Sequence, residues 1–226
     1  MQSTRYEVKM TCDEINLHNV RAWINLHPDT FFEAYPPRRV NSLYFDTFAR
    51  DCLNDNLIGV SKRTKLRLRW YGKDFTAVRG ILELKCKSNQ LGWKEHHPVP
   101  VAFDLTTLSW RTMMERLREQ VDGLFAVWLS ATDQPTLINS YMREYYESID
   151  RQVRVTIDYD LVAYEQVMYP APNLLIRAPI PKPIVIEVKS DAALHRRVSN
   201  VLSRFPLEVG RNSKYVNGVM DSLCFL

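Results

Sequence analysis

The strongest constraint on the fold is a strict alternation of charged and apolar residues in several short segments. In residues 65–69, of sequence Lys-Leu-Arg-Leu-Arg, every second residue is basic and the residues between are leucine. Successive side chains of a β-strand point to opposite faces, so a strand here has one cationic face and one apolar face. The same alternation recurs in residues 5–9, 82–87, 154–160 and 184–189. The chain is therefore predicted to contain many strands of one design.

Helical periodicity is confined to three segments. Apolar residues recur at helical spacing from Asp13 to Pro28, from Asp104 to Ala131 and from Asp191 to Pro206, and Gly123 is expected to divide the second segment. Residues 170–183 are rich in proline and are expected to form a long exposed loop. The predicted strands are residues 4–10, 40–46, 62–71, 79–87, 93–101, 139–147, 151–160 and 183–189. Eight strands and three helices predict a mainly antiparallel α+β fold with a closed sheet and flanking helices.

The composition is that of one folded domain. The chain has 226 residues, of which 46% are hydrophobic and 11% aromatic, and all-β barrels commonly reach this length without dividing. We therefore expect residues 1–226 to form a single domain. The net charge of +4 does not by itself require nucleic acid or a membrane as partner. No apolar segment approaches the roughly 20 residues that span a bilayer, and no targeting segment is recognisable.

The cysteines indicate a reducing environment. Cys12, Cys52, Cys86 and Cys224 are scattered and show neither a Cys-x-x-Cys pair nor the Cys/His spacing of a zinc site. Free thiols are typical of cytosolic proteins. A cytoplasmic location is predicted.

The charged strand faces carry an excess of cations. Any one such face, taken alone, is best interpreted as the solvated side of a half-buried strand. The faces together carry the basic residues Arg5, Lys9, Lys65, Arg67, Arg69, Lys85, Lys87, Arg143, Arg154 and Lys189, and the acidic residues Glu7, Glu83, Asp158, Asp160 and Glu187. If these faces turn inward, unpaired cations repel one another by about 4 kcal/mol per close pair at an effective dielectric constant near 20. Such a lining requires a polyanion, and a chain of phosphates provides the charges and acceptor oxygens.

The carboxylates in the same set suggest a metal ion. Mg²⁺ or Mn²⁺ usually takes one or two carboxylates and completes its shell with phosphate oxygens and water. Glu187 with Glu7 or Glu83 would provide such a pair. Phosphoryl transfer suits a lining of this kind, because its transition state is stabilised mainly by positioned positive charge.

Eight short motifs follow one another along almost the whole chain. They are Arg-x-Glu-x-Lys (5–9), Ser-Leu-Tyr-Phe-Asp-Thr (42–47), Lys-x-Arg-x-Arg (65–69), Glu-x-Lys-x-Lys (83–87), Arg143, Arg-Val-Thr-x-Asp (154–158), Glu-x-Lys (187–189) and Ser-Lys-Tyr (213–215). In this order they resemble the catalytic domain of the vacuolar transporter chaperone (VTC) polyphosphate polymerases. These enzymes belong to the triphosphate tunnel metalloenzymes, a CYTH-like superfamily.

The resemblance implies an eight-stranded antiparallel tunnel that binds ATP and inorganic polyphosphate or triphosphate. The γ-phosphoryl group of ATP would be transferred to phosphate or polyphosphate with the help of Mn²⁺ or Mg²⁺. The resemblance implies catalytic roles for Lys65, Arg67, Arg69, Arg143 and Arg154, phosphate binding by Lys9, Lys85, Lys87, Lys189, Ser213 and Lys214, and metal binding by Glu187 with Glu7 and Glu83. Tyr215 is expected to pack.

Departures from the family pattern leave two further functions open. The first motif begins with Arg5, where the wider superfamily often has glutamate, and this matches the polymerase branch. Residues 10–14 lack the extra basic residues of the long eukaryotic polymerases. An inorganic tripolyphosphatase and a non-catalytic module that binds polyphosphate or RNA are the alternatives. RNA recognition usually needs exposed aromatic residues among the basic groups, and the charged faces carry almost none, so no nucleic acid partner is expected.

Overall fold

The structure is a computed structural model that describes residues 5–88, 91–178 and 183–223. Strands and helices alternate along this part of the chain, with short 3₁₀ turns at Glu14–Asn16 and Ala192–Leu194. The elements are β1 (Arg5–Asp13), α1 (Leu17–Asn25), β2 (Phe31–Asp46), α2 (Asp51–Leu57), β3 (Lys62–Tyr71), β4 (Val78–Ser88), β5 (Leu91–Phe103), α3 (Trp110–Arg118), α4 (Gly123–Ala131), β6 (Gln134–Ser148), β7 (Val153–Glu165), β8 (Pro183–Asp191), α5 (His195–Leu202) and α6 (Lys214–Leu223). None of these helices has the length and apolar character needed to cross a membrane.

All eight strands belong to one sheet in the order β1-β8-β7-β6-β2-β3-β4-β5, and every neighbouring pair is antiparallel. The sheet is strongly curled. Its curvature brings Glu7 of β1 within 3.7 Å of Lys85 of β4, although these strands lie near opposite edges of the sheet. Cα atoms of the edge strands β1 and β5 come within 8 Å of each other. Within the described ranges, however, no hydrogen-bonded pairing joins these edges. The α+β, mainly antiparallel fold is confirmed, and the predicted closed barrel is not.

The outer face of the sheet is apolar and is covered by helices in two places. On β3, Leu66, Leu68 and Trp70 are buried with residues of α3 and α4. On β7 and β8, alternate valines and isoleucines such as Val155 and Ile186 pack against α1 and α5. The alternation predicted from the sequence is therefore realised, since the apolar residues face the helices and the charged residues face the opposite side. We call that opposite, concave side the inner face.

Helix α6 lies against the inner face. Tyr215 and Val219 are buried in one cluster with Tyr44 of β2, Leu137 of β6 and Ala163 of β7. At the neighbouring Gly218, a Cβ atom would lie 2.6 Å from a methyl carbon of Leu137. The inner face is thus divided between a charged region and the docking site of α6.

Most element boundaries agree with the sequence predictions, and the differences have physical causes. Strand β2 begins at Phe31, well before the predicted residue 40. The sequence did not predict its first half because that half is mostly exposed, contains Pro36 and Pro37, and does not alternate between apolar and polar residues. The segment 104–131 forms two helices, as expected: α3 ends at Arg118 and α4 begins at Gly123. Helices α2 and α6 were not predicted. Residues 170–178 are irregular, and residues 179–182 lie outside the described ranges.

The described cysteines are free thiols, as the sequence predicted. Cys12, Cys52 and Cys86 are free, and Cys224 lies outside the described residues. Cys52 is buried near Asp46, and burial together with this carboxylate raises the pKa of its thiol to about 12. This cysteine is therefore a neutral, packed side chain.

Candidate functional site

The first part of the charged inner face is formed by β3 and β4, where two arginines hold one buried glutamate. Arg67 donates to Glu83 Oε2 from Nε at 2.9 Å and from Nη2 at 2.5 Å, and Arg69 Nη1 lies 3.0 Å from Glu83 Oε1. Burial alone would raise the pKa of Glu83, but Arg67 and Arg69 hold it well below its usual range. The carboxylate is therefore ionised and fixes both guanidinium groups.

Arg67 also reaches a tyrosine of the neighbouring strand. Its Nη1 donates to the hydroxyl oxygen of Tyr44 at 3.1 Å. Burial opposes ionisation of Tyr44, yet the nearby Arg67, Arg69 and Lys65 lower its pKa to about 8. The shift shows how strongly positive this part of the inner face is.

A second group of charges is centred on Glu187 of β8, which is 5% exposed. Its carboxylate lies 3.0 Å from Lys9, 3.3 Å from Arg143 and 3.8 Å from Lys214, and it also accepts a hydrogen bond from Lys189. Burial would raise the pKa of Glu187, but these cations hold it far below its usual range. Four predicted phosphate-site residues thus converge on the predicted metal ligand.

Asp158 of β7 completes this second group. It is 1% exposed and receives two hydrogen bonds from Arg143, at 2.5 and 2.6 Å, and an ion pair from Lys214 Nζ at 2.5 Å. Although burial acts in the opposite direction, Arg143 and Lys214 lower the pKa of Asp158. Asp158 therefore holds Arg143 in place beside Glu187.

Glu7 of β1 connects the second group to Lys85 of β4. Its carboxylate lies 3.5 Å from Lys9, 3.7 Å from Lys85 and 3.9 Å from Lys189. Burial would raise its pKa, but these three lysines, with Lys85 contributing most, lower it to about 2. Much of the repulsion expected among the cations is thus relieved by carboxylates within the protein itself.

Lys65 and Lys94 carry positive charge on the inner face and make no ion pair among the described residues. Lys65 donates to Ser213 Oγ at 2.9 Å, and burial together with neighbouring lysines lowers its pKa to about 8. Lys94 of β5 is exposed and lies opposite Lys85, and partial desolvation together with the nearby Arg67 and Arg69 lowers its pKa to about 7. Lys94 was missed in the sequence because residues 93–97 do not alternate. The turn that the sequence predicts at residues 88–90 is the signal that could have paired it with Lys85.

Several buried polar atoms of the inner face lack a hydrogen-bond partner within the described part of the chain. They belong to Ser42 (Oγ), Arg69 (Nε), Asn139 (both amide atoms) and Thr156 (Oγ1). Ser42 pairs in register with both Arg69 and Asn139, and Thr156 pairs with Glu187. Buried polar groups are normally satisfied, so the hydroxyl and N–H donors among them are available to water or to the oxygens of a ligand, and Asn139 Oδ1, which only accepts, is available to water.

The remaining predicted residues lie at the margins of this region. The side chain of Arg154 is 56% exposed and pairs with Glu147 at 2.9 Å, at the strand end where it faces Lys189 in register. Lys87 is exposed and lies near Arg63. Asp160 pairs with Arg39 at 2.6 Å. The side chain of Arg5 lies outside the description.

The motif 213–215 begins helix α6. Ser213 Oγ, expected to contact phosphate, accepts hydrogen bonds from Lys65 and, at 3.4 Å, from the backbone N–H of Val216, so it caps the helix. Lys214 reaches Asp158, as described above. Tyr215, expected only to pack, also donates a hydrogen bond to Asp46.

The predicted metal ligands are only partly brought together. Glu7 and Glu187 share Lys9 and Lys189 as partners, whereas Glu83 lies with Arg67 and Arg69. In the described residues no group of three or more Asp, Glu, His or Cys side chains is arranged to hold an ion. Mg²⁺ and Mn²⁺ commonly take one or two carboxylates and obtain the rest of their shell from phosphate and water. Glu7 and Glu187 fit that mode.

Comparison with known proteins identifies a family for almost the whole chain. The model of the VTC domain matches residues 4–222. No curated protein matches significantly by sequence. Among solved structures, the PH1819 protein from Pyrococcus horikoshii OT3 is 13% identical with a TM-score of 0.48, covering 96% of this chain and 98% of its own. A candidate adenylate cyclase from Vibrio parahaemolyticus is 11% identical with a TM-score of 0.47, covering 92% and 94%. Both scores are below 0.5, so the assignment depends on the domain match.

Proposed function

Because the chain belongs to the VTC domain family, we propose that it is a metal-dependent polyphosphate polymerase that transfers the γ-phosphoryl group of ATP. The bond between the γ-phosphorus and its bridging oxygen to the β-phosphate breaks, and ADP leaves. A terminal oxygen of phosphate or polyphosphate forms the new bond to phosphorus. One observation carries the proposal: Arg67, Arg69 and Arg143 are held by buried carboxylates on one concave face.

The ion pairs explain how such a site could act. Phosphoryl transfer needs positive charges that are already in position when charge moves onto the leaving and equatorial oxygens. Glu83 and Asp158 fix the guanidinium groups, so little rearrangement is required of Arg67 and Arg143. Each arginine retains N–H groups for phosphate oxygens, because a guanidinium has five donors. Lys65 and Lys94, for which the described residues show no ion pair, would add charge near the chain of phosphates.

A divalent ion would be held by Glu187 and Glu7. Mn²⁺ or Mg²⁺ in that position would neutralise phosphate charge and orient the phosphate chain. Lys9 and Lys189, which now pair with both carboxylates, would then be released toward phosphate oxygens.

An inorganic tripolyphosphatase is the second candidate, and the position of α6 favours it. Tyr215 and Val219 occupy part of the inner face beside Leu137, which suits a short phosphate chain better than a long one. The same cations would then bind tripolyphosphate, and water would replace the phosphate acceptor.

One experiment separates these activities. The protein is incubated with ATP, and separately with tripolyphosphate, in Mn²⁺ or Mg²⁺, and chain length on gels and released phosphate are both measured. Growth of long chains from ATP supports the polymerase, whereas phosphate release from tripolyphosphate without growth supports the hydrolase. Arg67→Ala should lose the activity. Arg111→Ala, on the exposed surface of α3, should retain it.

A non-catalytic binding module is tested with Glu187→Gln. An enzyme that uses Glu187 as metal ligand should lose turnover while still binding tripolyphosphate. If neither the wild type nor the variant turns over ATP or tripolyphosphate with any divalent ion, and both bind tripolyphosphate, the protein is a binder and the enzyme proposal is wrong.

A further inference from the structure

An arginine lies between two tyrosines at one end of the inner face. The guanidinium carbon of Arg38 is 4.3 Å from the ring centre of Tyr71 and 4.8 Å from that of Tyr145, and its Nε donates to the Tyr145 hydroxyl at 3.0 Å. Tyr35 contacts Tyr145 edge to face at 5.8 Å. Tyr35 and Tyr71 are 55% and 46% exposed. We call these four residues the aromatic cluster.

The aromatic cluster continues the row of phosphate-site residues. Tyr71 follows Arg69 by two positions on β3, and Tyr145 follows Arg143 by two positions on β6. Residues two apart on a strand share a face and are separated by about 7 Å. Arg38 lies on β2, the strand between β3 and β6. The two tyrosines thus lie one step beyond Arg69 and Arg143, on the same side of the sheet.

The charge of Arg38 is not neutralised within the described residues. Its side chain hydrogen bonds to Tyr145, and no salt bridge there includes it. By contrast, Arg69 and Arg143 are both paired with carboxylates. A cation between the exposed ring of Tyr71 and the half-buried ring of Tyr145 can therefore meet a phosphate and a flat aromatic group at once.

We propose that the aromatic cluster is the nucleobase subsite, in which the base of a nucleoside triphosphate stacks on Tyr71 and Tyr145 in the place that the Arg38 guanidinium now occupies, while Arg38 turns to the phosphates. This inference rests on the proposed use of ATP. The triphosphate would extend from Arg38 toward Arg69, Arg143 and Arg67. The step of about 7 Å along each strand is comparable with the span of the ribose between the α-phosphate and the base. Every base has a π-face, so stacking here favours nucleotides over inorganic phosphate chains without selecting one base strongly.

The test compares ligands with and without a base. Binding of ATP and of inorganic tripolyphosphate is measured by calorimetry without divalent ions, for wild type, Tyr71→Ala and Tyr145→Ala. Loss of a stacked base should weaken ATP binding by roughly 5- to 150-fold in each variant, with tripolyphosphate binding unchanged. Tyr71→Phe should behave as the wild type, because it keeps the ring. Phe48→Ala, at an exposed aromatic residue beyond the opposite end of β2, should change neither affinity.

Three results would overturn the inference. The first is equal affinity of the wild type for ATP and tripolyphosphate, and the second is an alanine variant that loses both ligands equally or neither. In the third, Tyr71→Ala weakens the binding of single-stranded oligoadenylate but not the binding of ATP, which would indicate an RNA-binding surface. Failure of the proposed function is distinguishable, because a protein that lacks the phosphate site would not bind tripolyphosphate at all.

Discussion

The hydroxyl of Tyr215 donates a hydrogen bond to Oδ2 of Asp46, which joins helix α6 to the end of β2. Asp46 is fully buried and also accepts hydrogen bonds from the backbone N–H groups of Thr47, Cys52 and Leu53, at 2.8, 2.9 and 3.1 Å. Burial and the Asp46 carboxylate raise the pKa of Tyr215 far above its usual value, so the hydroxyl stays protonated. Two separate sequence motifs thus form one structural contact.

Removal of this hydroxyl should destabilise the protein. Tyr215→Phe leaves a buried carboxylate oxygen with one partner fewer, and we expect a loss of about 1–3 kcal/mol in the free energy of unfolding. Urea unfolding measures this loss. Tyr169→Phe is the matched control, because no side-chain hydrogen bond of Tyr169 is found in the described ranges. Equal stability of Tyr215→Phe and wild type would show that the contact contributes nothing.

A side chain at position 218 should displace α6. In Gly218→Ala the new Cβ would lie 2.6 Å from a methyl carbon of Leu137 and 3.5 Å from the Cβ of Ala163. Such overpacking costs about 1–3 kcal/mol, so the unfolding midpoint should fall. The control is Gly210→Ala, where a Cβ would meet no atom within 4 Å. Alanine is favoured over glycine in a helix by about 1 kcal/mol, so a midpoint raised by the equivalent of that full amount would mean that the helix is not seated against Leu137 as described.

Substitution of Asp158 should lower the stability of the protein, and bound tripolyphosphate should restore part of it. Asp158→Asn leaves the buried cations Arg143 and Lys214 without their shared carboxylate, and removal of one partner from a buried ion pair costs about 3–5 kcal/mol. Tripolyphosphate can replace the lost negative charge, so it should raise the unfolding midpoint more in the variant than in wild type. Asp133→Asn, which removes an exposed pair with Arg118, should change little. Equal ligand-induced shifts in Asp158→Asn and wild type would contradict the placement of phosphate beside these cations.

Phosphate binding should depend on the protonation of Lys94. Its pKa of about 7 means that the ammonium carries its charge below pH 7 and loses it as the pH rises. A bound polyanion favours the charged form. Because Lys94 is exposed, solvent screens its charge and the effect is modest, but wild type should lose more affinity for tripolyphosphate than Lys94→Ala between about pH 6 and about pH 8.5. Lys73→Ala, in an exposed turn, serves as control. Parallel pH profiles for wild type and Lys94→Ala would exclude the role.

The sequence was sufficient to predict most strands and the side of the sheet on which their residues lie. Alternation along residues 65–69 was sufficient to place Lys65, Arg67 and Arg69 on one face and the leucines in the core. It could not predict which cation pairs with which carboxylate, because Lys214 and Asp158 are distant in the chain and meet only through the docking of α6. For the same reason the buried hydrogen bond between Tyr215 and Asp46 was not expected.

Two parts of the site escaped prediction because their sequences carry little periodicity. The first half of β2, which contributes Arg38 to the aromatic cluster, is interrupted by Pro36 and Pro37 and has register shifts against β6. Lys94 lies in a stretch of mixed polar residues and is assigned to the inner face only by its register with Lys85. Cross-strand register was the missing information in both cases, and between β2 and β6 it joins segments that are far apart in the chain.

Edge strands β1 and β5 approach each other, so the curled sheet is nearly closed but has one unpaired seam among the described residues. No backbone pairing joins β1 and β5 in the described residues, and beside them Glu7 of β1 forms an ion pair with Lys85 of β4 at 3.7 Å. A change in the separation of β1 and β5 would therefore break no backbone hydrogen bond between described strands.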